Sequence, residues 1–351
     1  MIIRSRAPLR LGFAGGGTDL ESYSNKYGGC VFNATIGMYA YCTIIPTTDN
    51  KIKIYAYDNN NSLECDSSSF LDIDNKTLIL HKGVYNRIVK EFNNGKPLSF
   101  VMSTSNDAPI GSGLGTSSTM VVAILEAFDK WLSLGLSDYQ KAKLAYDIER
   151  NDLKLVGGKQ DQYAAVFGGF NYIEFCKDNS VIVNSLRLED KLINELECSI
   201  VLYYMGQNRE SDTIQRELTN NILLEQVVNT KHALQSTISA MNNLKLCAKE
   251  IKDCLLTANF KGFSDCLNKS WKSKKETSDK VSNAKIEEII TYGFQNGAES
   301  VKISGAGGGG FLLFYCDAMN RQRLINALKK QPGTIYPTKF TNQGVESWII
   351  N

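Results

Sequence analysis

The stretch SGAGGGG at residues 304–310 constrains this chain more than any other feature. Each glycine loses more chain entropy on ordering than alanine does, up to about 1 kcal/mol per residue in a regular element. Six consecutive glycines or alanines therefore read as a loop whose backbone must press close to a ligand or to another glycine-rich loop. A structural bulge is the plainer alternative. Two further glycine-rich stretches stand earlier: APLRLGFAGGGTD at 7–19 and PIGSGLGTSST at 109–119.

In the middle stretch, Gly111, Gly113 and Gly115 come just before an apolar run at 120–132, read as a buried helix. Glycines let backbone N–H groups approach an anion, and a helix N-terminus adds the equivalent of about half a positive charge. The hydroxyls of Thr116, Ser117 and Ser118 follow at once and suit phosphate or magnesium. No lysine precedes them, so this is not a Walker loop. A dinucleotide fold would need a glycine at position 116 or 118, where Thr116 and Ser118 stand. A tight turn with a hydroxyl cap on the next helix would use the same residues. In the first stretch, Gly15, Gly16 and Gly17 allow a sharp turn, and Thr18 and Asp19 carry groups that bind sugar hydroxyls or close an Asx turn.

With 351 residues the chain is comfortable for two packed domains, and 43% hydrophobic residues are enough for their cores. Lys plus Arg number 39 against 37 Asp plus Glu, a net charge of +2 that offers no general attraction for nucleic acid or anionic membrane. Phosphate recognition must therefore be local. The nine scattered cysteines form no C-x-x-C pair and only two histidines are present, so no zinc spacing exists. No secretion signal or membrane span is legible, and the expectation is a cytoplasmic protein with reduced thiols. Proton transfer falls to carboxylates rather than imidazoles.

The pattern along the chain is β-rich through residue 57, with strands at 30–32, 39–45 and 51–57, then polar loops to 75. Helices are predicted at 84–92, 120–132 and 138–151, the last opened by a Ser137/Gln140 capping box. Strands are expected at 98–104 and 170–175, mostly helix from 210 to 296, a strand at 311–315, a helix at 320–330 and a last strand at 345–350. A change in composition places a domain boundary between 185 and 200.

The three glycine-rich motifs, in this order, resemble the galactokinase–homoserine kinase–mevalonate kinase–phosphomevalonate kinase (GHMP) superfamily. PIGSGLGTSS matches that family's P-x-x-x-G-L-G-S-S pattern, with Thr116 at the first serine. The resemblance implies an α+β fold of two domains. These would be a ribosomal protein S5 domain 2-like N-terminal domain (1–190) and a ferredoxin-like C-terminal domain (191–351). It also implies ATP at their interface, its phosphates cradled by Gly111, Ser112, Gly113, Leu114, Gly115, Thr116 and Ser117. By the same resemblance, Ser117 and Glu149 would hold Mg2+, although a glutamate beside Arg150 also reads as a solvated surface pair. Asp161 matches the catalytic aspartate of the galactokinase-like branch, and Arg10 the basic residue paired with it. Gly16, Gly17, Thr18, Asp19, Gly305, Ala306 and Gly307 would surround the substrate.

RAPLRLGFAGGGTDL at 6–20, followed by NATI at 33–36, most resembles the D-glycero-D-manno-heptose 7-phosphate kinases, which phosphorylate the anomeric hydroxyl to the 1,7-bisphosphate for surface polysaccharide synthesis. Ordinary galactokinases carry GEHTD where this chain has GGGTD at 15–19, which argues against galactose. A phosphosugar substrate needs an extra cationic pocket, and Lys159, Arg209 and Lys302 are candidates. An L-fucokinase-like sugar 1-kinase is the rival enzyme, and a non-catalytic ATP- or sugar-binding sensor the rival of another class. No oligomeric state follows.

Overall fold

Two long antiparallel strands, β1 (Ile2–Ala14) and β2 (Gly29–Pro46), frame the protein. From Ala7 onward every residue of β1 is buried, as for a strand covered on both faces. The computed structural model describes residues 1–206, 211–228 and 237–351. Around β1 and β2 it places α1 (Glu21–Tyr27), β3 (Lys51–Ala56), β4 (Asn61–Asp66), α2 (Ile79–Phe92), β5 (Phe100–Asn106), α3 (Thr116–Leu132) and α4 (Asp138–Asp147). A π-helical turn (Ile148–Asp152), α5 (Gln160–Phe167), β6 (Phe170–Phe175) and β7 (Val181–Leu186) complete the first half. The second half contains α6 (Asp190–Ser199), β8 (Ile200–Tyr204), α7 (Ser211–Val228), α8 (Thr237–Leu256), α9 (Phe260–Lys275), α10 (Ala284–Gln295), β9 (Ser300–Ile303), β10 (Phe311–Tyr315), α11 (Ala318–Leu328), β11 (Thr334–Tyr336) and β12 (Glu346–Ile350).

The first sheet has the order β12-β1-β2-β5-β3-β4, with β6 and β7 continuing from the other part of β2; the second runs β11-β8-β10-β9. All ladders are antiparallel except β3 on β5. The mixed α+β architecture is thus observed. The buried helix is α3, whose residues are enclosed from Thr116 to Phe128 apart from Ser117. It lies across β1, where Ser5 donates a 2.6 Å hydrogen bond to the carbonyl of Ala123. The predicted capping box closes on α4.

Three expectations need correcting. The helix expected from Val84 begins at Ile79, because its first turn is held by the fold behind a left-handed Leu78 rather than by a capping side chain. The helix expected to continue to 151 leaves α geometry after Asp147 and widens into the π turn. Finally, a boundary at 190 does not contain the last strand. β12 returns to pair with β1 in the first sheet, from Ile2 opposite Ile350 to Arg6 opposite Glu346.

One apolar cluster joins the two sheets. Leu9, Leu11 and Phe13 from β1 pack with Cys247 and Ile251 of α8, Phe263 of α9, and Phe311 and Leu313 of β10. Phe13 has ring neighbours on both sides, Phe32 at 5.8 Å and Phe263 at 5.6 Å. This shared core fixes the relative position of the loops that follow it.

Candidate active site

The three glycine-rich stretches meet above that core. Gly113 has φ 86°, and a Cβ on it would lie 2.3 Å from the carbonyl oxygen of Ser304. A Cβ on Gly310 would lie 2.2 Å from the oxygen of Ser112. Phe311 N–H donates to Ser112 O at 3.1 Å, Ser304 Oγ to Gly113 O at 3.0 Å, and Arg10 N–H to Leu114 O at 3.2 Å. The run at 304–310 is glycine-rich because two main chains touch there. The middle stretch alternates: Leu114 enters the core and Ser112 is fully buried, while Gly111, Gly113, Gly115, Thr116 and Ser117 face an open cavity.

Arg10 and Asp161 occupy the junction. Arg10 Nε and Nη2 reach Asp161 Oδ1 at 2.8 and 2.7 Å, and Nη1 donates to Gly113 O at 2.6 Å. Gln160 Nε2 also donates to Oδ1, at 3.2 Å. Among the described residues every donor therefore falls on Oδ1, which leaves Oδ2 to accept from a ligand. Two adjoining cavities share Arg10, Arg150, Asp161, Gln215, Gly305 and Ala306. One lies over the phosphate-loop glycines and ends in the apolar side chains of Ile79, Leu80, Leu155 and Val156. The other is lined by Gly12, Gly16, Gly17, Asp19, Lys274 and Lys302.

Glu149 sits on the π turn, a device that re-aims side chains at functional sites. It is fully buried and lines the phosphate-loop cavity. Ser118 Oγ donates to its Oε1 at 3.0 Å and Gln162 Nε2 to its Oε2 at 2.5 Å, while Arg150 stays 3.7 Å away. Burial raises its pKa; Arg150 and the two hydrogen bonds oppose that shift. A buried carboxylate beside hydroxyl oxygens is a donor set that a hard divalent cation fits.

Comparison with known proteins now decides the family. The family description "GHMP kinases N terminal domain" matches residues 80–169, and "GHMP kinases C terminal" matches residues 251–333. A D-glycero-alpha-D-manno-heptose 7-phosphate kinase of Campylobacter jejuni is 47% identical over 348 residues, covering 99% of both chains. The chain is a GHMP kinase. A solved heptose 1-phosphate kinase from Bacteroides thetaiotaomicron superposes with a TM-score of 0.83 at 42% identity, covering 99% of each chain. Lactococcus lactis galactokinase shares the fold, with a TM-score of 0.79 at 18% identity. A bifunctional L-fucokinase of Bacteroides fragilis is 24% identical, and the match spans 36% of its length. GHMP kinases are ATP-dependent phosphotransferases, and so is this one.

Within the kinase, the structure brings together Arg10, Asp161, Glu149, the phosphate-loop glycines, Gly16, Gly17, Asp19, Gly305 and Ala306. It does not bring Thr18 or Gly307. The Thr18 hydroxyl donates to Cys30 O at 2.8 Å and accepts from Cys30 N–H at 3.1 Å, so it braces the turn behind the cavity. Gly307 packs on Val281, whose carbonyl accepts from Gly308 N–H at 2.7 Å. Asp19 lines the cavity but spends both oxygens on main chain, accepting from Gly17 N–H at 2.9 Å and Gln160 N–H at 3.1 Å. It thereby caps α5, the helix that carries Asp161. Lys159 is engaged by Glu21 at 3.4 Å and by Asn179, and does not line either cavity. Arg209 lies outside the described residues. Sequence reasoning missed Lys274, Arg150 and Gln162. Lys274 follows Lys272 and precedes Lys275 at the end of α9, where basic residues read simply as complements to the helix dipole.

Proposed function

We propose that this kinase transfers the γ-phosphoryl group of ATP to the anomeric hydroxyl of D-glycero-D-manno-heptose 7-phosphate, giving the 1,7-bisphosphate. One observation carries the reading: the phosphate-loop cavity and the polar cavity meet at Arg10 and Asp161. A phosphoryl group leaving one cavity would meet a hydroxyl held in the other. The identity to the Campylobacter heptose 7-phosphate kinase supports the choice of sugar.

In this mechanism the ATP phosphates lie against the N–H groups around Gly111, Gly113 and Gly115 at the start of α3, and the adenine lies toward Ile79, Leu80, Leu155 and Val156. Ser117 and Glu149 would hold Mg2+, which would supply charge neutralisation for the ATP phosphates. Asp161 Oδ2 accepts the proton of the attacking hydroxyl or aligns it. Arg10 holds Asp161 in place through the ion pair and, with Arg150, offers positive charge to the transferring group. Phosphoryl transfer needs positioning and charge neutralisation more than covalent help, and these residues supply both.

The test is Mg2+-dependent ATP consumption with heptose 7-phosphate, mannose 6-phosphate, L-fucose, galactose or no sugar. Turnover dominated by the heptose phosphate is the expected result; preference for L-fucose would replace the substrate and leave the catalytic residues standing. Glu149→Gln should raise the Mg2+ needed for half-maximal binding of a non-hydrolysable ATP analogue by about tenfold or more. An unchanged Mg2+ titration would move the metal to other ligands.

A further inference from the structure

The polar cavity contains more positive charge than the transfer reaction uses. Four cationic side chains, Arg10, Arg150, Lys274 and Lys302, face it together with two carboxylates, Asp19 and Asp161. Both carboxylates are already engaged, Asp19 by main-chain N–H groups and Asp161 by Arg10.

Among the other buried lysines, Lys82 donates to Asn75 Oδ1 at 3.0 Å and two are ion-paired. Lys141 is paired with Glu126 and Asp129, and Lys159 with Glu21. Among the described residues, Lys274 and Lys302 make no ion pair, although each is only 6% exposed. Each makes one contact with a main-chain carbonyl: Lys274 Nζ with Gly16 O at 3.2 Å and Lys302 Nζ with Gly12 O at 2.9 Å. An ammonium carries three donors, so each keeps two. Burial pushes Lys302 down to about 7, helped by repulsion from Lys274 and Arg10, and Lys274 down to about 8 against the opposing pull of Asp19. Burying two such cations side by side is costly unless an anion joins them.

Their position selects the anion. Lys274 comes from α9 and Lys302 from β9, and both line the polar cavity but not the phosphate-loop cavity. The main chain at Gly17 runs beside Lys274, since a Cβ there would sit 3.5 Å from its Nζ. We infer that Lys274 and Lys302 together seat the phosphomonoester that the acceptor sugar already carries, while Asp161 meets its reacting hydroxyl. This rests on reading the acceptor as a phosphosugar. The pair then sets specificity: a sugar without the phosphate leaves the two buried lysines without that anion.

The experiment compares wild type, Lys274→Met and Lys302→Met on D-glycero-D-manno-heptose 7-phosphate and on the same heptose without its phosphate. Wild type should prefer the phosphorylated sugar by about 100-fold or more in kcat/KM, as expected for charge-assisted contacts. Each methionine variant should cut that preference by about tenfold or more, mainly through KM for the phosphosugar. Lys274→Arg should restore part of it. Equal losses on both sugars, or a fall confined to kcat, would put the lysines at the reacting phosphoryl group and overturn the inference. Inorganic phosphate supplies a readout without variants: it should compete with the phosphosugar, and competition with ATP alone would also overturn it. Turnover of mannose 6-phosphate but not the heptose, with the preference still lost in the variants, would sink the heptose reading and leave the lysine seat intact. Turnover of heptose 7-phosphate with an unchanged preference in both variants would do the reverse.

Discussion

Asp161 and Lys302 show at the residue scale how burial and partners divide the labour of one cavity. Arg10 occupies one oxygen of Asp161 and leaves the other for a hydroxyl. Asp161→Asn should therefore retain ATP binding and lower kcat by about 100-fold or more, the usual scale for a positioned proton acceptor. Retention of full turnover would remove Asp161 from the mechanism. Lys302 is a cost to the ligand-free fold. Its pKa of about 7 against an ordinary 10.5 means that the unfolded chain binds more protons between those values. Stability from this group thus rises with pH through that window, and the burial penalty is present in full below 7. Lys302→Met should raise the Tm of the ligand-free protein by roughly 2–5 °C at pH 6, with the gain shrinking toward pH 10. A gain independent of pH would mean that Lys302 is not buried as a cation.

At the scale of elements, the decisive contact is between two loops. Gly113 combines a left-handed backbone with a neighbouring carbonyl where a side chain would stand. Gly113→Ala should cost about 3 kcal/mol or more in urea unfolding and abolish turnover, since clash and strain add. Gly95 has a similar left-handed φ of 71°, but no atom lies within 4 Å of the place its Cβ would take. Gly95→Ala should therefore cost only about 1 kcal/mol. Similar losses at the two sites would show that the packing of 112–113 against 304–310 contributes little. The π turn belongs to this scale as well. It ends α4 early and turns Glu149 and Arg150, which the sequence equally allows as a solvated surface pair, into the wall of the phosphate-loop cavity.

For the whole molecule, the site depends on halves that share a core. The cluster around Phe13 draws on β1 and β2 from one side and on α8, α9 and β10 from the other. The last strand, β12, returns to the first sheet, where Glu346 pairs with Arg6 and Ser347 donates to Glu126. Opening one half should therefore expose the other. Urea unfolding followed by tryptophan fluorescence and by circular dichroism should give one coincident transition. Two separated transitions would mean that the expected division near residue 190 marks independently stable units.

The three glycine-rich stretches, the buried helix α3 and the capping box of α4 are legible in contiguous residues. Their causes are local: glycine's access to left-handed backbone, helical periodicity, and a side chain reaching three residues along. The same motifs carry the resemblance to the GHMP kinases, and with it Arg10, Asp161 and Glu149. What the sequence leaves open depends on distant partners. Arg10 and Asp161 are 151 residues apart, and nothing local specifies which oxygen the guanidinium takes. Thr18 reads as a sugar ligand, yet its hydroxyl is spent on the Cys30 backbone. Lys274 reads as any basic residue at a helix end, yet the shared core turns it into the cavity. Local chemistry determined which segments could bind; tertiary packing decided which side chains remain free to do so, because only long-range contacts consume or spare a polar group.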